Sequence, residues 1–190
     1  MIEGVPPTSA NVQPWLNEPT MDHTSALPTA LTEVGKVCGR LLLERKQTVA
    51  VGEGSAGGLI SSGLLSMPGA SGYYRGGAVI YTGAALEGLL TGEVERPHPL
   101  RGASEPWALH LARAARVHID AHWGIGEGGA AGPSGNPYGD PAGHAWVAVA
   151  GAREATRHVL TGRDDRADNM VHFAVAALEL LAEVLADDHH

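Results

Sequence analysis

Cysteine and phenylalanine each occur once in the 190 residues, lysine occurs only as Lys36 and Lys46, and the bases never cluster beyond Arg45-Lys46. The single thiol, Cys38, has no partner for an internal disulfide. Its place on the apolar stripe of an expected helix makes it a small hydrophobe, which fits a reducing compartment. Thirteen bases against 21 acids, a formal net charge of −8, leave no basic surface of the kind nucleic acid requires. No run approaches the roughly 18 consecutive apolar residues of a membrane span, and no basic stretch followed by an apolar one opens the chain. A cytoplasmic protein with neither membrane nor nucleic acid as partner is therefore expected. With aromatics at 5% but apolar residues at 44% and 26 glycines, the core must be built from small aliphatic side chains. Such a composition suits helices laid closely on a sheet.

Residues 1–26 carry four prolines and no sustained periodicity, and are read as an extended arm before a single domain at 27–187. A helix is expected from about Pro28 to Lys46, with Leu31, Val34, Cys38, Leu41 and Leu42 on one face. Gln47–Gly52 reads as a strand that runs into the glycine-rich Glu53–Gly58, after which LISSGLLSM reads as a helix. A second short strand is expected at Ala78–Tyr81, followed by the helical AALEGLL and a proline-punctuated loop at 93–103. Ser104-Glu105-Pro106 opens a helix to about His118, and Trp123–Glu127 is a third strand leading into a turn at Gly128–Pro133. His144–Ala150 and Thr156–Leu160 alternate as a hairpin around Gly151-Ala152, and a last helix covers about Asp165–Leu185. These elements predict an α/β chain, a three-layer α/β/α sandwich on a mixed, mostly parallel sheet of about five strands.

In order along the chain stand TVAVGEGSAGGLISS (48–62), PGASGYYRGGAVIYT (68–82), Ser104-Glu105-Pro106, GAAGP (129–133), GHAWVAVA (143–150) and Thr161-Gly162. On these motifs the chain from about 29 to 186 resembles the CinA C-terminal domain family, the competence/damage-inducible proteins that include PncC-type nicotinamide-nucleotide amidases. The resemblance implies an amidase built on a Glu-Ser-Cys/Thr-Thr-Gly-Gly turn, whose serine is the nucleophile, and a Tyr-Ser-Asn-x-x-Lys stretch, whose lysine is the base. It also implies a homodimer or larger homo-oligomer.

This sequence departs at both functional positions. Glu53, Gly57 and Gly58 match, but the nucleophile's position is Gly54; Tyr81 matches, but the lysine's position is Leu86. An arginine that the family places early in the last helix falls on Asp168. Serine is a poor nucleophile without a base in hydrogen-bond reach. Both lysines precede the first strand, which puts Lys46 about 20 Å or more from Ser55. A Ser–Lys dyad of the family type is therefore not expected.

The candidate ligand-binding residues are Glu53, Gly54, Ser55, Gly57 and Gly58 on the first turn and Gly129, Ala130, Ala131, Gly132 and Pro133 on the second, where backbone N–H groups suit a phosphate or carboxylate. The competing reading is that these glycines serve only tight turns. Ser55 is read first as a helix cap, with a functional hydroxyl as the alternative. Glu127 is the least easily dismissed residue, because an unpaired buried carboxylate is expensive; it either reaches the pocket or pairs with a cation such as Arg75. The candidate catalytic side chains are thus Ser55, Tyr81 and Glu127, with His144 and Glu53 as further members of a new acid/base or metal site. His118 and His122 straddle a helix end and form no convincing zinc pair, and no cofactor is expected. Trp107, Trp123 and Trp146 are read as core or interface, while Tyr73 and Tyr74 line either the pocket mouth or a subunit contact. Three functions stay open: a ligand-binding or altered-chemistry homologue without the amidase dyad, an active nicotinamide-nucleotide amidase using Ser55, and an assembly protein with a vestigial pocket.

Overall fold

The computed structural model describes residues 27–90, 94–99 and 101–187, so the arm at 1–26 lies outside the described residues. Helix α1 (Thr29–Arg45) follows Pro28 and ends at Lys46, whose φ of 54° turns the chain into strand β1 (Val49–Glu53). A glycine-rich turn leads to helix α2 (Leu59–Leu65), and a 3₁₀ turn at Ala70–Gly72 precedes strand β2 (Tyr74–Val79). Helices α3 (Gly83–Leu89) and α4 (Glu105–His118) come next. Strands β3 (Trp123–Ala130), β4 (His144–Ala150) and β5 (Glu154–Leu160) then lead to helix α5 (Arg166–Asp187).

The five strands form one sheet in the order β2-β1-β3-β4-β5. Strands β2, β1 and β3 pair in parallel, and β4 is antiparallel to both β3 and β5. Four strands therefore point one way and β4 alone the other, the mixed sheet expected from the sequence. On one face Leu31, Cys38 and Leu42 of α1, Ile60 and Leu64 of α2, and Leu178, Leu181 and Leu185 of α5 close over Val49, Val51, Ile125, Val147 and Val149. On the other, α3 and α4 cover Ala50, and Ala108 and Ala112 sit on Ala148 and Ala150. The result is a three-layer α/β/α sandwich.

Strand β3 explains the shape of the second layer. Its glycines alternate, so Gly124, Gly126 and Gly128 all face α4. A Cβ on Gly126 would lie 1.8 Å from the Ala108 carbonyl oxygen, and one on Gly124 would lie 1.9 Å from that of Ala112. The helix backbone rests directly on the strand. The same pattern corrects the expected boundary: Gly128–Ala130, read as the start of a turn, continues β3 against Trp146, Ala145 and His144. Strand β2 also starts earlier than expected, at Tyr74, because Tyr74, Gly76 and Gly77 pair with β1, with Arg75 at a register shift, although the two glycines are poor strand formers.

Helix α5 is the one described helix long and apolar enough to cross a membrane, but half of its apolar window is buried against the domain. Cys38 is fully buried, its Sγ donates to the Leu178 carbonyl at 3.1 Å, and burial pushes the thiol up to about 12. At pH 8 a thiol reagent should modify the native chain no faster than the chain unfolds. Rapid modification without denaturant would contradict this packing.

Candidate functional site

The carboxyl ends of β1 and β3 carry two carboxylates side by side. Glu53 and Glu127 are register partners across the parallel pair, so their side chains share a face, and both are fully buried. Each is held by polar groups of the turn that follows β1. Glu53 Oε2 accepts from the Ile60 N–H at 3.0 Å, and Oε1 accepts from the Ser61 N–H at 3.1 Å and the Ser61 hydroxyl at 2.7 Å. The carboxylate thus satisfies the first turn of α2, whose N-cap is Gly58 with no side-chain cap of its own.

Glu127 does the equivalent one strand over. Its Oε2 accepts from the Gly54 N–H at 3.0 Å and the Ala56 N–H at 2.8 Å, and its Oε1 accepts a short hydrogen bond from the Ser55 hydroxyl. These bonds favour the ionised form, but complete burial opposes it more strongly and the Glu53 charge adds to the opposition. The Glu127 carboxyl is consequently raised to about 7.

Ser55 therefore does not cap α2; its hydroxyl turns to Glu127. Glu127 does not pair with Arg75, whose Nε instead donates to the Ile119 carbonyl at 3.4 Å. His144 is on the other side of the sheet. Glu127 sits opposite Val147, so residue 144, an odd number of positions away, faces α4. There His144 Nε2 lies 2.8 Å from the Ala103 carbonyl and Nδ1 lies 2.9 Å from His158 Nε2. Strand alternation thus separates His144 from Glu127 and Glu53, which the sheet places side by side, so the four expected members do not come together. Among the described residues no three His, Cys, Asp or Glu side chains are grouped to hold a metal.

Above Ser55 open two adjoining clefts. The first, about 270 Å³, is bordered by Gly54, Ser55, Tyr81, Leu86, Trp107 and Gly129, among others. The second, about 220 Å³, shares Ser55, Tyr81 and Gly129 and continues along Ala130, Ala131 and Gly132 to Asn136 and Arg166. Glu53, Gly57, Gly58, Glu127 and Pro133 border neither. The N–H groups of Gly54, Ala56, Ile60 and Ser61, which glycine-rich turns commonly offer to an anion, are taken here by Glu127 and Glu53. Gly54 and Leu86, the two positions that depart from the resembled dyad, face the same cleft.

The cation of the site is Arg166, the first residue of α5. Its Nη1 donates to the Gly132 carbonyl at 2.8 Å, and its Nη2 donates to the Tyr81 hydroxyl at 3.0 Å, with the guanidinium 6.0 Å from the Tyr81 ring centre. Sequence reasoning missed it by looking two residues on, at Asp168, which is paired with Arg163. The signal available was the placement of a base at the first turn of the last helix, between acids. Asn169, fully buried one turn further along, donates to the Ala131 carbonyl at 2.8 Å and fixes the second turn to α5. Beyond it Asp140 gathers Arg101 at 2.6 Å and Asn136 at 2.8 Å, folding the 134–141 loop beside the cleft.

The remaining candidates fall elsewhere. Trp107 borders the first cleft and stacks on His110; Trp123 is buried with its Nε1 donating to Gln47 Oε1 at 2.8 Å; Trp146 stacks on His158. Tyr73 is buried in the core with its hydroxyl on the Leu64 carbonyl, and Tyr74 is half-buried against the same cluster. His118 ends α4, and His122 Nδ1 meets the Thr48 hydroxyl at 2.8 Å. Lys36 is exposed and paired with Glu33 at 2.7 Å, and Lys46 caps α1 before β1 begins.

Comparison with known proteins agrees with this architecture. The model of the family "CinA C-terminal domain" matches residues 31–185. A CinA-like protein of Chlorobaculum tepidum is 36% identical over 157 residues, covering 79% of this chain and 37% of the relative. One of Sulfurihydrogenibium is 33% identical over 149 residues, covering 78% and 37%. The chain thus spans little more than a third of the length of these curated relatives. Among solved structures, the competence/damage-inducible protein CihA of Agrobacterium tumefaciens superimposes with a TM-score of 0.76 at 24% identity, covering 85% of this chain and 99% of the other. A competence damage-inducible protein from Klebsiella pneumoniae gives 0.76 at 23% identity over 84% and 99%. With residues 31–185 matched by the family model and relatives more than 30% identical over most of its length, the chain belongs to the CinA family, matching that family's C-terminal domain.

Proposed function

We propose that the domain binds a small anionic ligand, a nucleotide phosphate or a carboxylate, in the paired clefts above Ser55, and does not hydrolyse amides by the family's Ser–Lys route. The observation that carries this reading is the composition of the cleft wall: Gly54 and Leu86 stand where the dyad is expected, while Arg166 reaches in from α5. A guanidinium has five N–H donors, and Gly132 and Tyr81 occupy two of Arg166's. The others have no partner among the described residues and can meet a carboxylate or phosphate, and the carbonyl and phenol hold the group in place before the ligand arrives. Neither lysine supplies a base, since Lys36 is engaged on the surface of α1 and Lys46 precedes β1.

Calorimetric titration with nicotinamide mononucleotide tests this. Wild type should bind saturably. Arg166→Ala, which removes a charged hydrogen-bonding group worth about 1.5–3 kcal/mol, should weaken binding at least tenfold. Equal affinity in the two proteins would place the ligand elsewhere.

A further inference from the structure

We infer that Ser55 and Glu127 form a nucleophile–base pair for acyl transfer, acting on an ester or thioester whose leaving group departs as a stable anion. The inference rests on the reading of the clefts as a ligand site and adds a reaction to it.

Three observations carry it. First, the Ser55 hydroxyl donates to Glu127 Oε1, and Ser55 is a wall residue of both clefts, so the residue that touches the base also borders the ligand space. Gly129 keeps that space open, since a Cβ there would lie 2.9 Å from Ser55 Oγ. Second, the base is fixed. Its other oxygen is held by the Gly54 and Ala56 N–H groups, which fasten the carboxylate to the turn that carries the nucleophile. Burial also raises that carboxyl to about 7, near the range in which a general base is both unprotonated and basic enough at neutral pH. Third, Arg166 and Tyr81 stand at the same opening as Ser55, where an anionic portion of the donor would be held.

Ser55 Oγ attacks the acyl carbon and its proton passes to Glu127; the new Oγ–C bond forms as the bond to the leaving group breaks, and that group departs as a phenolate-type oxyanion or a thiolate. Water then attacks the acyl-serine and loses a proton to solvent. Glu127 returns its proton to Ser55 Oγ as the carboxylic acid leaves. The restriction to stable anions follows from geometry: Glu127 is fully buried and borders neither cleft, so it cannot hand a proton to a departing amine. The pair thus complements the absence of amide hydrolysis.

The probe is p-nitrophenyl acetate, whose leaving group is nitrophenolate. Wild type should give a stoichiometric nitrophenolate burst, and acid-quenched peptide mapping should place an acetyl group on Ser55. The burst rate should fall about tenfold for each pH unit below 7, following protonation of Glu127. Ser55→Ala should abolish the acetyl-peptide, and Glu127→Gln should slow the burst at least about 100-fold. A merely structural Glu127 would leave the pH profile flat. Absence of a burst in wild type, or acetylation elsewhere, overturns the pair. Nicotinamide mononucleotide titration of the same sample separates this from the ligand-site reading: binding without a burst refutes the pair and leaves the cleft as a ligand site, whereas a Ser55 burst without binding supports the pair and refutes that ligand class.

Discussion

Glu127→Gln should be more stable than wild type at pH 8, by up to about 3 kcal/mol, and no more stable near pH 4.5. The unfolded chain ionises this carboxyl near 4.5, and the folded chain near 7. Between those values the native state holds a proton that the unfolded state has lost. Stability contributed by the group is present in full below 4.5, falls as pH rises, and is gone above 7. Each pKa unit corresponds to about 1.4 kcal/mol, which sets the ceiling. Glutamine keeps the shape without the charge: its oxygen accepts from the Gly54 and Ala56 N–H groups, and its amide faces the Ser55 oxygen. A shift in Tm of about 10 °C at pH 8, shrinking toward acid, is the expected signature for a chain of this size. Parallel stability curves for the two proteins would mean that Glu127 ionises as an ordinary carboxylate.

Gly126→Ala should have an opposite effect of similar size. The added methyl would meet the Ala108 carbonyl oxygen at 1.8 Å and the Ala112 nitrogen at 2.6 Å, both backbone atoms of α4 that no rotamer change can move. Separating α4 from β3 opens the second layer, so a loss of about 3 kcal/mol or more is expected by denaturant titration. Gly88→Ala is the control, because it lies exposed on α3 with open space around its Cβ direction. That change should be neutral or stabilising by up to about 1 kcal/mol. Comparable destabilisation by both would show that backbone contact between α4 and β3 is not what the glycines serve.

Much of the sandwich was legible because apolar periodicity is local. Helices α1, α4 and α5 and the β4–β5 hairpin lie within two residues of their expected bounds. Errors arose where glycine carries two meanings. In WGIGEGGAAGP the residues that read as a turn are strand until Ala130; Gly128 lacks a side chain where Trp107 of α4 packs, and Gly129 where Ser55 and β4 approach. In YYRGGAV the early half of β2 lacks the β-branched residues that announce a strand.

The site was less legible, because its contacts depend on register. Glu127 stood out in sequence as a carboxylate among glycines, but its partners lie 71 to 73 positions away. Only the pairing of β1 with β3 puts it beside Glu53 and beneath Ser55. The same pairing rules set His144 on the opposite face, which composition alone cannot reveal. Arg166 was hidden for another reason: correspondence by motif position pointed to Asp168, whereas a long side chain two residues earlier reaches the cleft across the end of the helix.

The central claim is a cleft that holds an anion without the family's amide chemistry. Its most direct test is ammonia release from saturating nicotinamide mononucleotide, followed enzymatically alongside calorimetric binding on the same preparation. Saturable binding with ammonia no higher than a protein-free blank is the predicted result, and catalytic ammonia release by wild type would contradict it.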